Sequence, residues 1–452
     1  MHSGGGIISI ESAAEFPVRL VESGPAGGAV FAANIAARYG LDKVLSFDMG
    51  GTTAKICLIK NQTPKTSRVF EVARTYRFKK GSGMPISIPV IDMVEIGAGG
   101  GSLAHVDAMR QIRVGPESAG SEPGPACYGR GGEKPAVTDA DLVLGKLDPD
   151  NFAGGSIRLD TTGSEGALQN VIGKELDMDA ATAAFGLAEV VDENMANAAR
   201  VHAVENGEDL SDYTMIAFGG AAPLHAGRLC EKLGVERLLV PPGAGVGSAI
   251  GFLRAPFSFE ANRSVYMKLS DFDADRIKTL LAELQEEATG FVRNCDAGAE
   301  ILSEYKVYMR YSGQGWEIPI VLDEADALNP NAVRFEALFE ADYAKLFGRT
   351  VEGLDIEITV WSVNATTPPE AVARTAEQSP GAAADVALTR RMFDPALAEY
   401  CDADVVLRAQ MAPGQTAQGP AAITEEETTI ILPASRRAIC QPDGCIDITV
   451  KG

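Results

Sequence analysis

The sequence predicts an α/β fold over residues 1–260, an α+β region over 261–365, and a linker with a small C-terminal β domain over 366–452. Three observations carry this. Apolar strand-length runs, glycine turns and helix-length segments alternate up to about residue 260. Amphipathic helix patterns then flank strand pairs, as in "DADRIKTLLAELQEEATGFVRN" followed by "ILSEYKVYMRYSGQGWEIPIVL". Finally "TTPPEAVARTAEQSPGAAADV", rich in Pro, Ala and Thr, reads as a linker before short strands with Gly and Pro turns.

In chain order, "GPAGGAVFAANIAARYGLDKVLSF" reads as a loop, a helix from about Ala26 to Tyr39 stopped by Gly40, and a strand. "VLSFDMGGTTAKICLI" reads as a strand that stops at Asp48, turns on Gly50-Gly51 and resumes as a strand. "PVIDMVEIGAGGGSLAHVD" predicts a second hairpin with a glycine loop, and "AATAAFGLAEVVDENMANAARVHAVENG" a long helix closed by Gly207. "YTMIAFGGAAPLHAGRLCEKLGVERLLVPPGAGVGSAIG" predicts a strand to Phe218, a Gly219-Gly220 turn, a helix from about Pro223 to Lys232, a strand to Val240, and a glycine loop before a short helix. In the middle region "AVRFEALFEADYAKLFG" is a helix and "LDIEITVWSVNA" a strand; the C-terminal strands lack the Met-Lys-Met hairpin of a biotin carrier.

Composition narrows the function classes. A formal charge of −22 and the absence of a basic stripe argue against a nucleic-acid partner, while leaving room for a single nucleotide at a glycine loop or helix start. No run of about 18 apolar residues supports a membrane span. The opening "MHSGGGIISIESAAEF" lacks the basic region and apolar core of a secretory signal, so a cytoplasmic location is expected. Seven cysteines, mostly far apart, read as reduced thiols; Cys440 and Cys445 in "CQPDGC" read first as a structural turn and second as a redox or metal pair.

The chemistry-bearing motifs each admit two readings. In "DMGGTTAK", Gly50 and Gly51 let backbone N–H groups face a phosphate, Thr52 and Thr53 add hydroxyls, Lys55 offers a cation, and Asp48 a ligand for Mg²⁺ or an orienting carboxylate. The same residues also make an ordinary hairpin turn. "AFGGAAPLH" places Gly219 and Gly220 before a helix N-terminus, with Ala221, Pro223 and His225 in its first turn. Paired with the first motif, this predicts a two-sided nucleotide cleft, with His225 either a ligand contact or a solvated or capping residue. Asp92, Glu95 and His105 flank the glycine run of "IDMVEIGAGGGSLAHVD", as acid, base or metal ligand, or beside glycines that serve close packing. Cys127 reads as a packed thiol before a nucleophile, Asp139 as a helix N-cap before a catalytic group, and Trp316 as core or interface.

Together "ESGPAGGAV", "FDMGGTTAKICLI", "IDMVEIGAGGGSLAHVD", "VGPESAGSEPGPACYGRGG", "TDADLVLGKLDPDNFAGG" and "FGGAAPLHAGRLCEKLGVERLLVPPGAGVGSAIG" resemble the hydantoinase A/oxoprolinase family, in family order over residues 1 to about 256. The resemblance implies an actin-like ATPase lobe of the sugar kinase, heat-shock ATPase and actin superfamily. It implies that Asp48, Gly50, Gly51, Thr52, Thr53 and Lys55 form a phosphate hairpin with ATP and Mg²⁺, and that Gly219, Gly220 and the helix start (Ala221, Pro223, His225) meet the nucleoside side. Asp92, Glu95 and His105 then border the substrate as acid/base candidates.

The implied function is a subunit of an ATP-dependent cyclic amide hydrolase that phosphorylates a substrate oxygen and acts with a hydantoinase B-like partner. The alternatives are a subunit of a biotin-independent ketone carboxylase of the acetone or acetophenone type, and a catalytically incomplete scaffold lobe. A dinucleotide oxidoreductase is disfavoured because no GxGxxG opens a helix after the first strand. Family chains carry a first lobe with an Asp-x-Gly-Gly-Thr-Phe-Thr-Asp hairpin that has no counterpart here. The sequence is therefore expected to be a split-gene subunit, a truncated reading frame or an expressed fragment, served by a separate first-lobe chain. Its small-molecule substrate is expected to be a hydantoin, a lactam or a ketone.

Overall fold

The computed structural model describes residues 1–72 and 81–451 and divides into two compact units, one of residues 1–21 and 255–371, the other of residues 22–254 and 372–452.

The larger unit is built on a nine-stranded sheet. Its strands are β1 (Lys43–Met49), β2 (Ala54–Lys60), β3 (Met93–Ile96), β4 (Thr214–Phe218), β5 (Arg237–Val240), β6 (Thr416–Gln418), β7 (Arg436–Cys440) and β8 (Ile446–Val450), with the short Thr63–Pro64 strand at an edge. The order is β6-β7-β8-β5-β4-β1-β2, and β2 carries both β3 and Thr63–Pro64 on its outer side. β1 runs parallel to β4, and β4 to β5, whereas β2, β3 and β8 are antiparallel to their neighbours. Parallel strands covered on both faces read as unbroken apolar runs, and "VLSF" in β1 and "MIAF" in β4 are buried throughout.

Helices α1 (Ser23–Tyr39), α2 (Val137–Val143), α3 (Ala180–Glu205), α4 (Ala222–Leu233) and α5 (Gly247–Arg254) complete the framework. Gly40 ends α1 in the left-handed conformation (φ 62°), as a glycine after a helix does at low cost. α1 and α5 cross at glycines: a Cβ on Gly251 would lie 1.8 Å from the Gly27 carbonyl oxygen, so any side chain there would push the helices apart.

Two expectations are corrected. The C-terminal strands form no separate β domain, because β8 pairs with β5 and brings β7 and β6 into the central sheet. The remaining C-terminal strands, Leu388–Asp394, Glu399–Leu407, Ala421–Thr424 and Thr429–Leu432, form a four-stranded sheet within the same unit. The second predicted hairpin also does not form. β3 pairs with β2, and Ser102–Val106 pairs instead with Ile112–Ser118, so the glycine run joins two different sheets.

The smaller unit is a five-stranded antiparallel sheet of Ser258–Arg263, Met267–Lys268, Leu302–Tyr311, Ile318–Leu322 and Ile356–Thr366, with helices Ala274–Cys295 and Ala332–Phe347. Its core gathers Trp361, Tyr311, Phe335 and Phe339. The N-terminal residues belong to this unit through the bridge of Ile7 to Phe257. Trp316, expected in a core or interface, is 73% exposed. Among the described residues no helix is long and apolar enough to cross a membrane.

Candidate functional site

Parallel pairing decides where the two glycine motifs meet. Asp48 on β1 is in register with Phe218 on β4, so the turns that follow both strands leave the same edge of the sheet. Ligands of open α/β sheets bind beyond the carboxyl ends of parallel strands, and this edge is such a place. Gly219 (φ 94°) is seated on the first motif so closely that a Cβ would lie 2.4 Å from the Met49 carbonyl oxygen and 2.6 Å from Asp48 Oδ1. The loop after β5 joins them, with the Gly219 N–H donating to the Ala244 carbonyl at 2.7 Å.

The Gly50–Thr53 turn is closed by the Gly50 N–H donating to the Thr53 carbonyl (3.1 Å). Among the described residues the amides of Gly51 and Thr52 have no partner, and a Cβ on Gly50 or Gly51 would meet nothing within 4 Å. The turn therefore presents donors to open space. Its back is braced by the Gly97–Gly101 loop: the amides of Gly100 and Gly101 donate to the carbonyls of Gly50 (3.0 Å) and Gly51 (2.7 Å). Gly99 needs its missing side chain, since a Cβ would lie 2.6 Å from Thr52 N. Thr138 at the start of α2 holds the brace through its Oγ1 to the Gly100 carbonyl (2.7 Å).

The charged groups follow from strand register. Lys55 is opposite Asp48 on one side and Glu95 on the other. Its Nζ donates to Thr53 Oγ1 (2.9 Å) and lies 3.4 Å from Glu95 Oε1. Asp48 Oδ2 accepts from Ser248 Oγ at 3.1 Å; burial raises the Asp48 carboxyl above its ordinary range, opposed by Ser248 and by the Lys55 charge. Glu22, the N-cap of α1, is pushed up to about 7 by burial and then by the charge of Glu95, against the pull of Lys55. The corner thus holds two carboxyls, Asp48 and Glu22, with raised proton affinity around one lysine.

The structure brings together Asp48, Gly50, Gly51, Thr52, Thr53, Lys55, Glu95, Gly219 and Gly220. Ala221 joins them through its N–H to the Met49 carbonyl, whereas Asp92, His105 and His225 stand apart. Asp92 lies three residues before Glu95 on the chain, where its Oδ2 is 3.9 Å from Lys65 Nζ. His105 is exposed on the strand facing Ile112–Ser118, opposite Arg113. Ala221 spends its N–H on the Met49 carbonyl (3.0 Å), and Pro223 is buried.

His225 is the sharpest correction. It is 0% exposed, with Nδ1 at 2.8 Å from Asp192 Oδ1 and Nε2 at 3.1 Å from Asp141 Oδ2; Asp141 also pairs with Lys146 at 2.8 Å. Burial alone would lower the imidazole pKa, but Asp141 and then Asp192 outweigh it and raise it to about 9. The imidazolium is therefore a clamp joining α2, α3 and α4, out of a ligand's reach. Asp139 is likewise structural, though not an N-cap: it is the third residue of α2 and accepts from the amides of Ala126, Cys127 and Ala136 and from Ser164 Oγ. Cys127 is fully buried beside it, with its thiol pushed up by burial.

Sequence reasoning missed chemical roles for Glu22 and Ser248. Both stood within quoted runs, "ESGPAGG" and "GVGSAIG", and the signal available was a polar side chain flanking glycines at a helix start. Among the described residues no group of three or more His, Cys, Asp or Glu side chains is placed to hold a metal ion.

The sequence model described as Hydantoinase/oxoprolinase matches residues 1–261, and that of the Hydantoinase/oxoprolinase C-terminal domain matches 269–443. Caprolactamase subunit alpha of Pseudomonas jessenii is 32% identical over 99% of the chain, which spans 64% of that relative's length. The crystal structure of the ATP-dependent caprolactamase from the same organism superposes with a TM-score of 0.79 at 29% identity, over 96% of this chain and 62% of that one. The nucleotide-free structure of acetone carboxylase gives 0.77 at 26% identity, over 100% and 64%.

Proposed function

The chain belongs to the hydantoinase/oxoprolinase family, and on that premise we propose that it is the nucleotide-binding part of a subunit of an ATP-dependent cyclic amide hydrolase. The observation that carries the reading is the seating of Gly219 on Asp48 and Met49, which joins two glycine turns far apart in sequence at one sheet edge. The order β3-β2-β1-β4-β5, with β4 and β5 parallel to β1, supports an actin-like ATPase lobe.

In this reading the Gly51 and Thr52 amides, the Thr52 and Thr53 hydroxyls and Lys55 hold the polyphosphate, while Gly219 and Gly220 let the nucleotide approach the backbone. An amide resists water because its nitrogen leaves poorly. Transfer of the γ-phosphoryl group to the amide oxygen opens the carbon to water; the C–N bond of the resulting adduct breaks as its nitrogen leaves protonated, and water then cleaves the acyl phosphate that remains to the carboxylate and inorganic phosphate. Glu22, able to gain or lose a proton near pH 7, is the acid/base group at the corner, and Asp48, oriented by Ser248, is the carboxylate that organises metal or water. Glu95 holds Lys55 in place.

Mg²⁺ fits the donor set, since one carboxylate, Asp48, beside open space suits an ion that keeps several waters, and it would neutralise charge on the phosphoryl oxygens. A hydantoinase B-like subunit completes the assembly, and the subunit names of the relatives support partner chains. The similarity to acetone carboxylase supports a second reading, with a ketone's enolate oxygen as acceptor and bicarbonate as co-substrate.

Calorimetric titration with Mg-ATP tests the binding reading. ADP release by the co-purified complex across lactams, hydantoins, and ketones with and without bicarbonate then separates the two reactions. Failure of Mg-ATP to bind overturns both.

A further inference from the structure

We propose that Glu427 recognises the ribose hydroxyls of a nucleotide held at the glycine corner; the inference rests on the nucleotide reading above and adds a specificity-determining residue to it. The hairpin of Ala421–Thr424 and Thr429–Leu432 directs its tip, Glu425–Thr428, onto the turn after β4 and the loop after β5. Thr428 Oγ1 donates to the Gly220 carbonyl at 2.8 Å. A Cβ on Gly245 would lie 2.4 Å from Glu427 Cβ and 3.3 Å from its Cγ, and one on Gly220 would lie 3.8 Å from the Glu427 carbonyl oxygen. Gly245 is thus a glycine because Glu427 stands over it.

The three tip carboxylates are not equivalent. Glu425 is committed to Arg408, with contacts of 3.0 and 3.1 Å, and Arg408 is anchored to the carbonyls of Val240 and Gly444. Glu426 is exposed, and its backbone carbonyl accepts from the Gly154 amide (3.1 Å). Glu427 is also exposed, and among the described residues its carboxylate has no hydrogen-bond or ion-pair partner. A carboxylate beside a polyphosphate is repelled, so it does not serve the phosphate end, which the Thr52, Thr53 and Lys55 donors mark. It stands by Gly220 and Gly245, and no atom of it lies within 4 Å of a Cβ placed on Gly50 or Gly51. Two acceptor oxygens free of protein partners among the described residues match two vicinal hydroxyl donors, the solution dinucleotide sites use for ribose.

The test titrates the full chain, with Mg²⁺ present, against ATP, 2′,3′-dideoxy-ATP and inorganic tripolyphosphate, for wild type, Glu427→Ala, Glu427→Gln and Glu426→Ala. Wild type should prefer ATP over the dideoxy analogue by about 10-fold or more, the range for hydrogen bonds to a charged acceptor. Glu427→Ala should bind ATP as weakly as the analogue, with tripolyphosphate affinity unchanged, while Glu426→Ala keeps the preference. Should Glu427→Ala lose tripolyphosphate as well, the isosteric Glu427→Gln decides. A wild-type protein without the preference, or an undiminished preference in the Glu427 variants, overturns the inference and leaves nucleotide binding standing. Wild-type protein that binds neither ATP nor tripolyphosphate overturns both.

Discussion

Replacing His225 by Gln tests whether a buried charge clamp positions the turn after β4. In the wild type the imidazolium lies between Asp192 and Asp141, and Lys146 offsets the second carboxylate, so the four groups balance. In the variant Asp141 keeps Lys146, but Asp192 faces a neutral amide in a fully buried site. Removing one partner of a buried pair costs about 3–5 kcal/mol, and the surviving Lys146 contact puts this case near the lower figure. The raised pKa of the imidazole is of the same order: a rise from 6.5 to about 9 corresponds to about 3 kcal/mol.

The sign follows from the direction of the shift. The folded-state pKa is raised, so the stabilisation is fully present below pH 6.5 and is lost as pH rises through about 9. Asp141 expresses the same coupling from the other side: burial would raise it, but His225 and Lys146 hold it well below the carboxylate range, so it stays ionised throughout this window. Urea unfolding followed by far-UV circular dichroism should place the variant about 3 kcal/mol below wild type at pH 6, with the gap closing by pH 10. Tryptophan emission is the wrong probe, since Trp316 and Trp361 both lie in the smaller unit. Proton NMR of the four histidines adds a direct readout. An imidazole resonance that vanishes in His225→Gln but titrates near 6.5 in wild type would refute the clamp, as would a stability gap independent of pH.

Four further outcomes follow from the same geometry. Gly51→Ala, whose Cβ meets nothing within 4 Å, should change stability by less than about 1 kcal/mol yet weaken Mg-ATP binding at least about 10-fold by calorimetry, because the methyl fills the space offered to a phosphate. Gly219→Ala should lower stability by about 2 kcal/mol or more in urea unfolding and weaken Mg-ATP binding too, since its Cβ lies 2.4 Å from the Met49 oxygen at a φ of 94°. Asp139→Ala leaves three buried amides and the Ser164 hydroxyl without their acceptor and should cost about 3 kcal/mol or more, read by the same unfolding assay. Under native conditions Ellman's reagent should titrate at most Cys295 and Cys401, because the other five cysteines are buried.

What the sequence determined was local. The α1 stop at Gly40, the β1–β2 turn on Gly50-Gly51 and the glycines after Phe218 each follow from a few neighbouring residues, because glycine alone enters those backbone conformations cheaply. The open backbone donors of that turn were legible for the same reason. Tertiary structure decided everything that depended on pairing. Glu95 rather than Asp92 reaches the corner because the register of β3 on β2 sets it opposite Lys55, and a side chain's face alternates along a strand. His225 sits in the first turn of α4 as a surface ligand would, yet α2 and α3 bring Asp141 and Asp192 onto both its nitrogens and close it off. β8 looked like part of a separate domain until β5 offered it an edge, and the sequence separation of 208 between Gly220 and Thr428 leaves no local trace of their hydrogen bond. Short-range sterics are written in the chain, whereas which surface each element covers is settled only when the whole sheet closes over its apolar faces.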